Sequence, residues 1–161
     1  NESVDDAAIR ELREETGVRD VYLEQLYTFG EPKRDPRGRV ITVAYYALIP
    51  PTHTLHSTTD AADAAWFRPD DPPPLAFDHA RIVDSARTRL HNKLAYTNVG
   101  FELLPERFTL SELQAVHEAI LGEPLDKRNF RRQILQRATL QPLQAWKPTG
   151  RKPAPLFRFK E

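Results

Sequence analysis

Three glutamates, Glu11, Glu14 and Glu15, constrain this chain more than any other feature, because they sit in a segment that reads as one helix over residues 3–16. At 3.6 residues per turn they stand at i, i+3 and i+4, so their carboxylates share one helical face. Like charges at that spacing repel and cost an isolated helix stability. Two arrangements relieve the repulsion. One is a solvated acidic face balanced by Arg10 and Arg13. The other is a hard divalent cation, which takes oxygen ligands and bridges carboxylates to phosphates. The helix itself is well signalled: Ser3 or Asp5 can cap it, Ala7, Ala8 and Leu12 favour it, and Gly17 supplies a left-handed stop.

Behind this helix the pattern changes from a helical to an extended one. Residues 20–29 (Val21, Leu23, Leu26, Tyr27, Phe29) read as a strand, and 30–39 (GEPKRDPRGR) as a loop rich in proline, glycine and arginine. Val40–Ile49 (VITVAYYALI) is the strongest strand, apolar enough to be buried on both faces. Residues 50–63 are turn-rich, 64–68 (AAWFR) suggest a short strand, and Asp78 opens a helix to about Lys93. Further on, residues 98–104 suggest a short strand. Thr109-Leu110-Ser111-Glu112 is a capping box for a helix ended by Gly122, and Asp126 caps another through about Gln136. Two β-like segments about Pro148-Thr149-Gly150 form a hairpin over 139–160.

Charge divides along the same line. The whole chain is neutral, with 23 basic and 23 acidic residues, which taken alone argues against a nucleic-acid partner. Residues 1–95 hold 12 basic and 16 acidic residues while 96–161 hold 11 and 7, a split of −4 and +4. There is no cysteine, so disulfides and thiolate chemistry are excluded, which fits a reducing, cytoplasmic setting. No window reaches the ~20 apolar residues of a membrane span. The chain has no methionine and opens on Asn1-Glu2, so further sequence upstream is expected.

From Glu2 the spacing is specific. Seven residues separate it from Arg10-Glu11, and Leu12, Glu14, Glu15, Gly17 and Val18 follow in order. This run resembles the Nudix box, G-x5-E-x7-R-E-U-x-E-E-x-G-U, matching every position from the first glutamate onward. The resemblance implies a Nudix α/β/α sandwich with a mixed sheet, its first part missing from the chain. It also implies Mg²⁺ or Mn²⁺ held by Glu11, Glu14 and Glu15, with Arg10 orienting them and Glu2 supporting the loop. The implied chemistry is hydrolysis of a nucleoside diphosphate linked to another moiety. The loop around Arg34, Arg37 and Arg39 and the runs Ala65-Trp66-Phe67 and Leu75–His79 look like the ADP-ribose branch. Those arginines are phosphate candidates. Asp60 and Asp63 are candidates for a further carboxylate, whereas His53 and His56 lack a carboxylate partner and read as surface residues.

The basic half reads as two short helices and a basic hairpin, a winged helix-turn-helix. On the second helix Phe130 and Ile134 face inward while Arg128, Asn129, Arg132 and Gln136 face out, flanked by Lys127 and Arg131. Ten basic residues against one acidic residue lie between Asp126 and Lys160. Arginine and asparagine on one helical face suit guanine and adenine edges in the major groove, and Lys147, Arg151 and Lys152 at the hairpin suit phosphate. The alternative is a basic surface docked on the acidic half or on a second subunit. Residues 101–159 also resemble the C-terminal domain of Nudix-related transcriptional regulators of the NrtR type, most closely at 108–114, 126–132 and 150–154. The expected architecture is therefore α+β: a Nudix domain over 1–95 closed by a linking helix (78–93), then a winged helix-turn-helix domain over 96–161. The resemblance implies a homodimer on a pseudo-palindromic double-stranded operator of NAD-metabolism genes, with ADP-ribose or a related nucleotide as effector. An active hydrolase whose basic domain serves dimerisation is the competing expectation.

Overall fold

The computed structural model describes residues 1–50, 65–68, 71–137, 140–150 and 152–160. The chain divides into two compact units that part between Arg89 and Leu90.

The first unit opens with α1 (Val4–Thr16). Ser3 caps it by accepting the Asp6 N–H at 3.0 Å. Gly17 stops it at φ 73°, a left-handed conformation that a Cβ disfavours, and donates its N–H to the Arg13 carbonyl at 2.9 Å. Strands β1 (Tyr22–Phe29) and β2 (Thr42–Leu48) pair antiparallel from Tyr22↔Leu48 to Phe29↔Thr42, with a bulge between Gln25 and Tyr27. Full burial of the second strand is not what forms: Ala44 and Leu48 are buried and the rest half-buried, since one neighbouring strand covers only part of it. Leu26, Phe29 and Ala44 make the core, covered by Ile82 and Ala86 of α2 (His79–Leu94). Ile82, Ala86 and Arg89 fall on one face of α2, at i, i+4 and i+7.

That face ends in a polar anchor. Glu24 accepts from the Tyr46 hydroxyl at 2.9 Å, from the Tyr22 hydroxyl, and from Arg89 Nη1 at 3.3 Å. Arg89 Nη2 also donates to the Leu26 carbonyl at 3.1 Å. Burial, reinforced by Tyr22 and Glu24, raises the Tyr46 phenol above its ordinary pKa.

The second unit holds a 3-10 turn (Val99–Leu103), α3 (Leu110–Leu121), α4 (Lys127–Arg137), β3 (Leu140–Lys147) and β4 (Ala154–Phe159). The expected strand over 98–104 is instead this turn. With no partner strand beside it among the described residues, the backbone closes locally, Phe101 N–H to the Asn98 carbonyl and Leu104 N–H to that of Phe101, both at 3.0 Å. Residues 65–68 likewise form no strand, and Trp66 and Phe67 are exposed.

The capping box at α3 is complete: Thr109 Oγ1 accepts the Glu112 N–H at 3.2 Å, and Glu112 Oε2 accepts the Thr109 N–H at 2.8 Å. Asp126 caps α4 by accepting the Asn129 N–H at 2.8 Å. Leu104, Phe108, Leu110, Leu113, Phe130 and Ile134 form one core, and Phe101 stacks on Phe159 at 4.4 Å. The β3–β4 hairpin joins this core through Phe108, whose backbone exchanges two hydrogen bonds with Phe157 at 3.0 and 2.8 Å. Two helices, a turn stopped by Gly122 at φ 75°, and a hairpin make this unit a winged helix.

Candidate functional site

In the first unit the predicted carboxylates lie on α1, where Glu11, Glu14 and Glu15 are exposed along one helical face. Arg10 organises them. Its Nη1 reaches Glu11 at 2.8 Å and Glu14 at 2.9 Å, while Nη2 holds Glu2 at 2.7 Å. The Arg10 hydrogen bonds keep Glu2 ionised below the usual carboxylate range, and its three carboxylates raise the guanidinium above its own. The box residues Glu2, Arg10, Glu11 and Glu14 are therefore one network, and Glu15 stands on the next position of the same face.

Carboxylate oxygens are the right donors for a hard divalent cation. Among the described residues, however, no three Asp, Glu or His side chains are placed to hold one ion, and Glu11 and Glu14 are both paired with Arg10. The donor set fits Mg²⁺ or Mn²⁺ in chemistry, and holding either ion requires those two glutamates to turn from Arg10. Asp60 and Asp63, with His53 and His56, lie outside the described residues.

The loop arginines separate into different roles. Arg34 is 5% exposed and spent on a bidentate pair with Asp78, at 2.9 and 2.7 Å, and on the Thr42 hydroxyl at 2.5 Å. Asp78 thus uses its carbonyl to start α2, accepting Arg81 at 2.9 Å, and its carboxylate to fix the loop. Arg37 is open to solvent but stacked over Phe77, 4.7 Å from the ring centroid. Its guanidinium is anchored on buried Asp35, whose carboxyl Arg37 lowers to about 2, first through the side chain and then through its backbone N–H. Arg39 is exposed and donates to the Gly30 carbonyl.

Sequence reasoning missed Asp35 and Phe77. The Asp-Pro-Arg-Gly run was a turn signal that could have flagged Asp35 as an Asx-type acceptor for Arg37. Phe77 holds φ 50°, a strained value for a residue with a Cβ, while half exposed beneath Arg37. No sequence signal announces that.

In the second unit α4 buries Phe130 and Ile134 and presents Lys127, Arg128, Asn129 and Arg132 to solvent. Arg132 Nη2 donates to Asn129 Oδ1 at 2.7 Å, so the two side chains act as a pair. Arg131 turns aside. It is half-buried against α3, reaching Ser111 Oγ at 3.4 Å, and its Nε is buried with no hydrogen-bond partner among the described residues. Lys147 pairs with Glu112 and so pins the wing to the α3 capping box. Burial alone raises the Glu112 carboxyl, but Lys147 and the Thr109 N–H and hydroxyl outweigh it and hold the group below its usual range. Lys152 is exposed, and Arg151 lies outside the described residues. His117 packs edge-on against Phe130 at 5.1 Å; burial, with a smaller effect of Arg137, pushes its imidazole toward the neutral form.

Both units match known families. The NUDIX domain profile covers residues 1–86, and that of the NrtR DNA-binding winged helix domain covers 100–159. The chain belongs to the Nudix family, in the branch that carries an NrtR winged helix. It is 40% identical over 159 residues to the ADPR responsive transcriptional repressor NtrR of Acinetobacter baylyi, covering 94% of this chain and 62% of that protein. The chain thus spans less than two thirds of that relative's length. Shewanella oneidensis NrtR complexed with a 27mer DNA shares its fold at a TM-score of 0.84 and 37% identity, over 99% of this chain and 74% of that one. The NUDIX domain of that NrtR complexed with ADP ribose matches at a TM-score of 0.51 and 38% identity, over 56% and 60%. Among the described residues no helix is long and apolar enough to cross a membrane.

Proposed function

We propose that this protein is a DNA-binding repressor of pyridine-nucleotide genes, released from its operator when ADP-ribose occupies the Nudix domain. The observation that carries the reading is the exposed Lys127, Arg128, Asn129 and Arg132 face of α4, in a chain that also has a Nudix box. Arg132 and Asn129 read base edges, while Lys127, Arg128 and the wing residues Arg151 and Lys152 serve phosphates. In the Nudix domain Arg37 and Arg39 face the ligand's pyrophosphate, and Arg34 shapes their loop through Asp78. The working parts are residues 1–95, closed by the linking helix, and residues 96–161, acting in the cytoplasm as a homodimer. Two winged domains read half-sites about one turn (~34 Å) apart, so a modest rotation of either spoils the joint fit.

A second reading keeps catalysis, and the uninterrupted pattern from Glu2 to Val18 favours it. Glu11, Glu14 and Glu15 would hold Mg²⁺ or Mn²⁺, which supplies charge neutralisation of a pyrophosphate and a more acidic bound water. Arg10 sets the direction of Glu11 and Glu14 through its ion pairs, and Glu2 holds Arg10. One experiment sorts the readings: the intact protein is offered a randomised duplex library, then ADP-ribose with Mg²⁺. Enrichment of a two-fold symmetric site, lost from Arg132→Ala, supports the repressor; no enrichment sinks it. Release of AMP that disappears in Glu15→Gln supports hydrolysis, and no turnover leaves the sensor alone.

A further inference from the structure

We infer that Arg137, the last residue of the recognition helix, is a positioning residue that ties α4 to the end of α2 and carries the ligand's effect to DNA. The inference rests on the repressor reading above.

Helix α2 begins in the first unit and ends in the second. Its final carbonyls need partners, as at any helix terminus. The Asn92 and Lys93 carbonyls are served locally, by the N–H groups of Ala95, Tyr96 and Thr97 and by the Thr97 hydroxyl. The Leu94 carbonyl is served by Arg137 Nη2 at 2.9 Å, and the same nitrogen reaches the Thr97 carbonyl at 3.5 Å. A guanidinium at a helix C-terminus is a charge-assisted donor and complements the helix dipole.

Packing at this joint is incomplete. Leu94 is buried, and a Cβ built on Gly100 would come within 3.3 Å of Leu94 and 3.2 Å of His117 Nε2. His117 in turn meets Phe130, so Gly100 is packed between the end of α2 and the α3–α4 pair. Beside these contacts a cavity of about 330 Å³ remains, lined by Leu94 of α2, His117 and Leu121 of α3, and Phe130, Gln133 and Arg137 of α4. Side chains of the described residues do not fill that gap, and Arg137 lines it. Arg132 and Asn129 ride on the same short helix, so a displacement at Arg137 moves the base-reading pair with it.

The test uses the intact protein and a duplex that the wild type selects. DNA affinity is measured by fluorescence anisotropy with and without saturating ADP-ribose, and ADP-ribose affinity by calorimetry. Arg137→Ala is expected to keep ADP-ribose affinity within about twofold. The ratio of DNA dissociation constants with and without ligand is expected to fall about fivefold or more toward one. Arg137→Lys, which keeps a charged donor, is expected to retain an intermediate ratio. If the alanine variant does not fold, Arg137→Gln carries the same expectation. A wild-type ratio in the variants overturns the inference, whatever their melting temperature or basal DNA affinity, because a merely structural residue shifts both dissociation constants together. A ratio of one in the wild type itself overturns the sensor reading.

Discussion

Truncating Leu113 to alanine tests whether the winged helix is held by the core described above. Its side chain is fully buried, 0% exposed, among Leu104, Phe108, Leu110, Phe130 and Ile134. Leucine-to-alanine changes in such cores cost about 2–5 kcal/mol, the lost transfer energy plus the cavity left behind. Leu113 sits on α3 and cannot be replaced by rearranging a loop, so a loss near the middle of that range, about 3–4 kcal/mol, is expected. For a unit of about 70 residues that corresponds to a fall in melting temperature of roughly 12–30 °C. Leu135 on α4 is the control, since it is the same residue type but 52% exposed. Leu135→Ala is expected to cost less than about 0.5 kcal/mol. Urea titrations followed by far-UV circular dichroism give both numbers, and DNA binding at 37 °C fails only in Leu113→Ala. Equal losses at the two positions would refute the assignment of the core.

Two further outcomes follow from the same unit. Glu112 has a folded pKa below its unfolded value, so the stability it contributes is complete above about pH 4.5 and is lost as pH falls from there through the lowered folded pKa. Acid titrations of melting temperature should show that loss in the wild type and a flatter profile in Glu112→Gln; identical profiles would dissociate Glu112 from the wing and cap. A Cβ on Gly100 would stand 3.3 Å from Leu94 and 3.2 Å from His117, so Gly100→Ala crowds the ends of those two side chains and is expected to destabilise the unit by about 1 kcal/mol. A neutral result by chemical denaturation would show that the 3-10 turn yields more easily than its contacts suggest.

The elements that sequence periodicity captures best are those whose ends carry their own chemistry. Gly17, the Thr109–Glu112 box, Gly122 and Asp126 each perform the cap that their type and spacing announce. The inward side of α4 was legible for a similar reason, because Phe130 and Ile134 sit at i, i+4. Residues 98–104 were not: alternation of apolar residues suits a strand, but a strand needs a partner far away in sequence, and here local 3-10 bonds served instead. The site shows the same limit. Arg34, Arg37 and Arg39 look alike in one loop, yet Arg34 is buried on Asp78 and Arg37 stacks on Phe77, residues some forty positions away. Lys147 reads from the sequence as a phosphate contact and nothing in the sequence singles out Arg137, because their partners Glu112 and Leu94 are set by tertiary packing.

The central claim is that one chain couples an occupied Nudix domain to release of DNA by α4. Its most direct measurement is an anisotropy titration of the intact protein against its selected duplex, repeated with saturating ADP-ribose at fixed salt. ADP-ribose is expected to weaken binding about tenfold or more, and Arg132→Ala to abolish the specific complex. Equal affinity with and without ADP-ribose, or a specific complex that survives Arg132→Ala, would contradict that claim.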